Sequence, residues 1–213
     1  MSGGRRSSAE VRRLLLEAAQ ELFAAKGYAA TTTREIAERA GVSETLLFRH
    51  FSSKQRLFDR AILRPFQDFV AEFVEQWEAH DPGEQTPEEL FRYFVGGFYD
   101  LLQENRELTL ALAAASLFEG DANGMFGSRN SPLSELLKRV DDVAEAESAI
   151  RGYAYDPPVA VRLVVGMILS VTLLEDWLFP PRRRPSRTRA VNEIVAMMKD
   201  GITHRTVPPE APG

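Results

Sequence analysis

The stretch from Thr32 to Phe51, TTREIAERAGVSETLLFRHF, constrains the chain more than any other. Ile36, Ala37 and Ala40 recur at helical spacing, Gly41 interrupts the pattern, and Leu46 and Leu47 begin a second apolar face. Thr32 followed three residues later by Glu35 has the form of a capping box, in which a hydroxyl and a carboxylate each satisfy an orphan backbone N–H at a helix start. Gly41 supplies a left-handed residue that ends the helix without a Cβ penalty, and Ser43 is placed to cap the next one. Ala37 is small where two helices must cross closely. Val42 and Leu47 are expected to bury on the first helix, which leaves Ser43, Glu44, Thr45, Phe48 and Arg49 on other faces. Spacing alone leaves two readings open: an ordinary helical hairpin, or a helix-turn-helix whose second helix fits a DNA major groove.

The flanks separate them. AAKGYAATT precedes the motif from Ala24, and Arg49, His50 and Phe51 lead through Ser52 and Ser53 to Lys54, which opens a long amphipathic helix. Taken together, Phe23, Gly27, Tyr28, Thr31, Thr32, Ile36, Ala37, Gly41, Val42, Ser43, Leu47, Phe48, His50, Phe51 and Lys54 closely resemble the N-terminal domain of the TetR family of bacterial transcriptional regulators, over residues 9 to 60. The resemblance implies DNA contacts from Thr32, Thr33, Ser43, Glu44, Thr45, Phe48, Arg49, His50 and Lys54. Two positions depart from the family pattern. Phe48 stands where the family usually has a tyrosine whose hydroxyl reaches a phosphate, so that bond is lost. Glu44 stands where a lysine or another polar residue often follows the serine. A glutamate is repelled by phosphates but can accept from the cytosine amino group in the major groove. Affinity is then expected to lean on Arg49, Lys54 and backbone N–H groups at helix starts.

Charge supports a basic end. The chain carries a net charge of −5, yet residues 1–64 hold 12 Lys/Arg against 7 Asp/Glu, while the remainder holds 14 against 24. With no cysteine in 213 residues, neither a disulfide framework nor a thiolate metal site is possible. Met1 to Ser8 carries Arg5 and Arg6 with no apolar run behind it, so no secretory signal is expected and a cytoplasmic protein is read. Those eight residues read as a flexible basic arm, either a solvated tail or one that reaches phosphates or a minor groove. The excess of Arg over Lys, 22 to 4, points to a GC-rich genome.

Along the chain, Val11 to Ala25 has the stripe of a core-facing helix ending at Gly27, which should close a three-helix domain over residues 9–54. Gln55 to His80 keeps an apolar face and contains Pro65, which should kink or split it. Five further helices are expected at Glu88–Asn105, Leu108–Phe118, Pro132–Tyr153, Pro157–Phe179 and Ser186–His204, with turn-forming separators between them. Nothing alternates convincingly at period two. The expected fold is all-α, about nine helices: an N-terminal helix-turn-helix domain, a larger helical bundle over 55–206 and a disordered tail at 207–213.

Val159 to Leu178 is the most apolar segment, but Arg162, Glu175 and Asp176 interrupt it well short of the roughly 20 residues that span a bilayer. It must be buried by protein. Gly166 and Ser170 form a small-residue patch where another helix can approach closely, and the resemblance implies that the last two long helices pair with those of a second subunit. The interface residues are then Gly166, Ser170, Leu173, Trp177, Val191, Ile194 and Met198; burial within one subunit is the other reading. The resemblance also implies an inducer pocket, for which Phe66, Phe69, Phe73, Trp77, Phe94, Phe98, Leu117, Phe118 and Met167 are the candidates, although aromatic stripes at helical spacing also make plain core. Such a lining favours a small hydrophobic ligand. Asp141, Asp142, Glu145 and Glu147 read most simply as a solvated acidic face. His50, His80 and His204 lie in no metal-spacing or nucleophile motif, and no phosphate-cradling glycine loop occurs, so no enzyme, metal site or cofactor is expected. The resulting expectation is a homodimeric repressor released from a palindromic operator by a hydrophobic molecule. The alternative is a helical adaptor or signal-binding protein without specific DNA binding.

Overall fold

The computed structural model describes residues 7–81, 84–110, 113 and 132–203. Their regular structure is helical: α1 (Ser8–Ala30), α2 (Thr33–Ala40), α3 (Glu44–Phe51), α4 (Lys54–Phe58), α5 (Arg64–Glu78), α6 (Pro87–Glu104), α7 (Pro132–Arg151), α8 (Pro157–Leu173), α9 (Glu175–Leu178) and α10 (Arg187–Thr203). A π turn at Asp59–Leu63 joins α4 to α5, and residues 106–110 are also helical. Leu117, Phe118, His204, the tail at 207–213 and all but the last two residues of the expected arm lie outside the described residues. Ser7 caps α1 and Ser8 begins it.

The chain divides into two compact units, Met1–Pro65 with Asn105–Ser134, and Phe66–Glu104 with Glu135–Gly213. The expected boundary at residue 54 therefore moves to Pro65. The reason is burial: Leu57, Phe58, Ala61, Ile62 and Leu63, beyond the expected boundary, are in the core, and both α4 and the π turn pack on α1. Phe23, Tyr28 and Phe58 form an aromatic triangle with centroids 4.9 to 5.7 Å apart. Gly27 makes the triangle possible. Its φ of 77° and ψ of 173° break α1 as expected from sequence, and the chain turns so that Tyr28 comes back over Phe23.

Pro65 interrupts its helix differently from a simple kink. It is the second residue of α5, where a missing N–H costs little, and the irregularity lies just before it in the π turn. In an unbroken α-helix the N–H of residue 65 would go to the carbonyl of Ala61, and proline has none to give. Gln20 on α1 takes its place, donating Nε2 to that carbonyl at 2.8 Å.

In the second unit, α6 lies against α10 and α8. Arg187 Nη2 donates to Asp100 Oδ2 at 2.6 Å, and Lys199 reaches Glu88 at 2.9 Å. Phe69 rests on Gly97, where a Cβ would lie 2.6 Å from the ring. Two expectations change here. The segment Pro157–Phe179 is not one helix: Leu174, at φ −103° and ψ 20°, separates α8 from α9. The acidic run of α7 is not wholly solvated. Asp141 and Glu147 are buried, held by Arg162 at 2.7 Å and by Arg151 at 2.6 Å, because two of its four carboxylates fall on the inward face of the helix.

The Gln20–Ala61 bond gives a stability test. Gln20→Leu leaves the part-buried carbonyl unpaired and should cost about 1–3 kcal/mol in denaturant unfolding. In a Pro65→Ala background the restored N–H can serve that carbonyl, so the same substitution should cost less. An undiminished cost would show that Gln20 and Pro65 do not share the Ala61 carbonyl.

Candidate nucleic-acid interface

The turn between α2 and α3 is built as its residues require. Thr32 Oγ1 accepts from the Glu35 N–H at 3.2 Å while the Glu35 carboxylate accepts from the Thr32 N–H at 2.9 Å, closing the capping box. Lys26, bonded to Glu35 at 2.7 Å, and then Thr32 hold the Glu35 carboxyl down to about 2. Gly41 sits at φ 65°, ψ 40°. The N–H groups of Gly41 and Val42 return to the carbonyls of Glu38 and Ala37, the pattern of a Schellman ending. Ser43 then caps α3 through the Leu46 N–H. Ile36, Ala37, Ala40 and Leu47 are buried between the helices, and Val42 is half-buried.

This packing leaves one face of α3 outward. Ser43, Thr45, Phe48 and Arg49 are exposed, and Glu44 and His50 half-exposed. Thr32 and Thr33 start α2 beside them, and their hydroxyl protons are committed: Thr32 donates to Glu35 at 3.0 Å and Thr33 to Glu44 at 2.5 Å. Neither hydroxyl has a second proton for a phosphate, and the Thr32 N–H is taken by Glu35 as well, so the contact open at this helix start is through the first backbone N–H groups of α2 that the cap does not use. Arg34 was not among the residues singled out from sequence. Its exposed guanidinium pairs with Glu38 at 2.9 Å, and Glu38, then more weakly Glu44, raise its pKa. Its position in the first turn of α2, eleven residues before Thr45, carries no local pattern that would mark it. Lys54 begins α4, with Nζ 4.2 Å above the Tyr28 ring, and Arg12 lies over Phe51 at 5.4 Å.

The aromatic candidates for a pocket are mostly packed on each other. Phe66, Phe69, Phe73, Phe94 and Phe98 form a chain of ring contacts from 5.0 to 6.5 Å. Only Phe73 and Phe94 of this set line a cavity of about 60 Å³, together with Leu90, Phe91, Val140, Val143, Ala144, Glu147, Tyr155, Ala160, Val161, Val164, Met198 and Ile202. Trp77 stands behind that wall, donating its indole N–H to Glu147 at 2.9 Å. Met167 lies elsewhere, in an open groove of about 650 Å³ with Leu163, Gly166, Ser170, Ile194 and Met197.

The expected subunit interface is divided in the same way. Leu173, Val191 and Ile194 are buried within the protomer, and Met198 faces the cavity, so they offer little area to a partner. Of the expected residues Trp177 does face outward, 85% exposed, and Leu163, Met197, Val159 and Leu178, not singled out for the interface, join it at half exposure or more. A Cβ on Gly166 would meet nothing within 4 Å. Among the described residues, no helix is long and apolar enough to cross a membrane.

Comparison with known proteins agrees with this architecture. The family described as "Bacterial regulatory proteins, tetR family" matches residues 15–61. The HTH-type transcriptional regulator YvkB of Bacillus subtilis is 47% identical over 64 residues, 30% of this chain and only 33% of that protein. The HTH-type transcriptional repressor KstR2 of Mycobacterium tuberculosis is 37% identical over 194 residues, 91% of this chain and 93% of its own length. The solved structure of the fatty acid degradation regulator FadR from Bacillus halodurans superposes with a TM-score of 0.64 over 94% of this chain and 100% of that one, at 19% identity, a likeness of fold. With the capped helix-turn-helix in place and a repressor alike over nearly its whole length, the chain belongs to the TetR family of bacterial transcriptional regulators.

Proposed function

We propose that this protein is a homodimeric repressor that binds a palindromic operator through α3 and the start of α2, and leaves it when a small, largely apolar molecule occupies the second unit. The observation that carries the reading is the outward face of α3, where Ser43, Thr45, Phe48 and Arg49 stay exposed while Leu47 and Phe51 anchor the helix. Repression follows the likeness to the repressor KstR2, and the apolar effector follows the lining of the cavity. Glu44 reads a cytosine amino group, while Arg49, Lys54 and backbone N–H groups hold phosphates. Selection of promoter fragments with the purified protein tests this directly. The selected site should be two-fold symmetric, with half-sites one helical turn, roughly 34 to 36 Å, or a multiple apart. A protected site without two-fold symmetry would count against a dimer.

Reading and holding separate by mutation. Lys54→Ala should weaken binding to all sequences and reduce the salt slope by about one. Glu44→Ala should relax the preference at one base pair and leave nonspecific binding unchanged or stronger. Thr33→Val removes the bond that orients Glu44, so it should relax the same base pair and add nothing in the Glu44→Ala background. Loss of affinity across all sequences in Thr33→Val would assign Thr33 to the phosphates instead.

The outward α8 surface supports the dimer, with Gly166 at its centre. Because a side chain at 166 meets open space in the protomer, Gly166→Leu should fold with unchanged helix content. Packed against a second copy it should cost about 1–3 kcal/mol of overpacking. Sedimentation should read a shift toward monomer together with weaker operator binding. A variant as dimeric as the wild type places the interface elsewhere.

A further inference from the structure

Phe48 carries apolar surface that the core does not use. Among residues 7–65 it is the one large hydrophobic side chain that stands exposed, at 44%. The other aromatic residues of that range, Phe23, Tyr28, Phe51 and Phe58, each engage a ring or a cation, and among the described residues Phe48 engages neither. Its helix is anchored without it, through Leu47 and Phe51. Glu44 stands one turn earlier on the same flank, about 6 Å back along the axis, and its carboxylate is fixed across the turn by the Thr33 hydroxyl at 2.5 Å. Arg49, the exposed cation of α3, points about 100° further round. The flank through Glu44 and Phe48 thus presents an anion and a hydrocarbon ring, and neither attracts a phosphate.

We infer that Phe48 reads a thymine, by packing its ring on the C5-methyl group in the major groove, one or two base pairs from the cytosine read by Glu44. This rests on the proposed operator binding through α3 and adds a second base to it. The spacing follows from the helix: about 6 Å between the two positions spans one to two base pairs at roughly 3.4 Å each. The chemistry follows from the groove. Its base edges present donors, acceptors and one methyl group, that of thymine, and a phenyl ring makes no hydrogen bond to the others. Covering the methyl also takes from water the ring surface that the free protein exposes, and removing one methyl from such a contact should cost about fourfold in affinity. A ring set on the sugar-phosphate backbone would instead add affinity without sequence preference.

Deoxyuridine isolates the methyl, because it pairs with adenine as thymine does and lacks only that group. In the operator selected by the full chain, each thymine is replaced in turn by deoxyuridine and affinity is measured by fluorescence anisotropy. One symmetry-related pair of thymines, within two base pairs of the cytosine that Glu44→Ala ceases to demand, should respond: about fourfold weaker for one half-site and about fifteenfold for both. Phe48→Ala should keep its helix content and its nonspecific binding, bind the thymine operator more weakly, and lose less than about 1.5-fold on the same deoxyuridine replacement. The wild-type scan stands as a test without that variant. A scan silent at every thymine, a response more than two base pairs from the Glu44 cytosine, an undiminished deoxyuridine cost in Phe48→Ala, or a Phe48→Ala loss equal on all DNA would each overturn the inference while operator binding stands. Selection of no operator at all would remove the operator-binding reading, and the inference with it.

Discussion

One backbone conformation carries the DNA-facing half of this protein. At Gly41 the chain takes φ 65°, in the left-handed region that a side chain would penalise by roughly 1–2 kcal/mol. That single residue ends α2, sends the N–H groups of Gly41 and Val42 back to its last carbonyls, and delivers Ser43 where it caps α3. Everything about the outward face follows from the turn. With Leu47 and Phe51 directed into the core, helical periodicity leaves Ser43, Thr45, Phe48 and Arg49 outside. The second left-handed glycine of this unit, Gly27, works on the opposite side of the core. It folds Tyr28 into the triangle with Phe23 and Phe58, and Tyr28 in turn seats the Lys54 ammonium at the start of α4. Two glycines thus fix the outward face of α3 and the Lys54 ammonium on one small core.

Legibility in the sequence followed the range of the interaction. The capping box, the glycine ending of α2, the Ser43 cap and the break at Gly27 each depend on residues within a few positions, and each was readable. So was the all-helical class. The π turn was not. Pro65 announces that an N–H is missing, but the group that answers for it, Gln20, is 45 positions earlier and carries no motif. The end of α8 at Leu174 was equally hidden, because Leu174 is an ordinary helix former and the apolar run continues through it.

The candidate sites divide along the same line. Exposure of the α3 residues was readable because one face of a short helix had clear anchors. The commitment of the Thr32 and Thr33 hydroxyls was only half readable: Glu35 is local to Thr32, while Glu44 reaches Thr33 across the turn. In the second unit, sequence favoured aromatic residues as the pocket, and most of them turned out to pack on one another. Glu147, which stands in the cavity wall, sat in an acidic run that looked like a solvated face. A carboxylate is buried when a partner offsets its desolvation, and the Trp77 half of that partnership is 70 residues away.

The helix α8 explains why the apolar run from Val159 is longer than one interior needs. Val161, Val164 and Ile168 are buried inward, and Ala160, Val161 and Val164 reach the cavity, while Val159 and Leu163 stand exposed on the other side beside Gly166. A helix apolar on both sides carries one face that the described residues leave exposed, and Trp177 at 85% exposure extends that face beyond the helix end. Arg162, the charge that breaks the run, does not spoil either side, because its guanidinium is turned along the helix to Asp141 and the Pro158 carbonyl. The same rod therefore forms a wall of the cavity with one face and the floor of the outward groove with the other. Side chains in such a helix are close-packed against its backbone, so a molecule that enlarges the cavity by displacing α8 displaces the groove by the same motion. The ligand and the second copy proposed above would act on opposite sides of one element, which is the minimum physical requirement for either to influence the other.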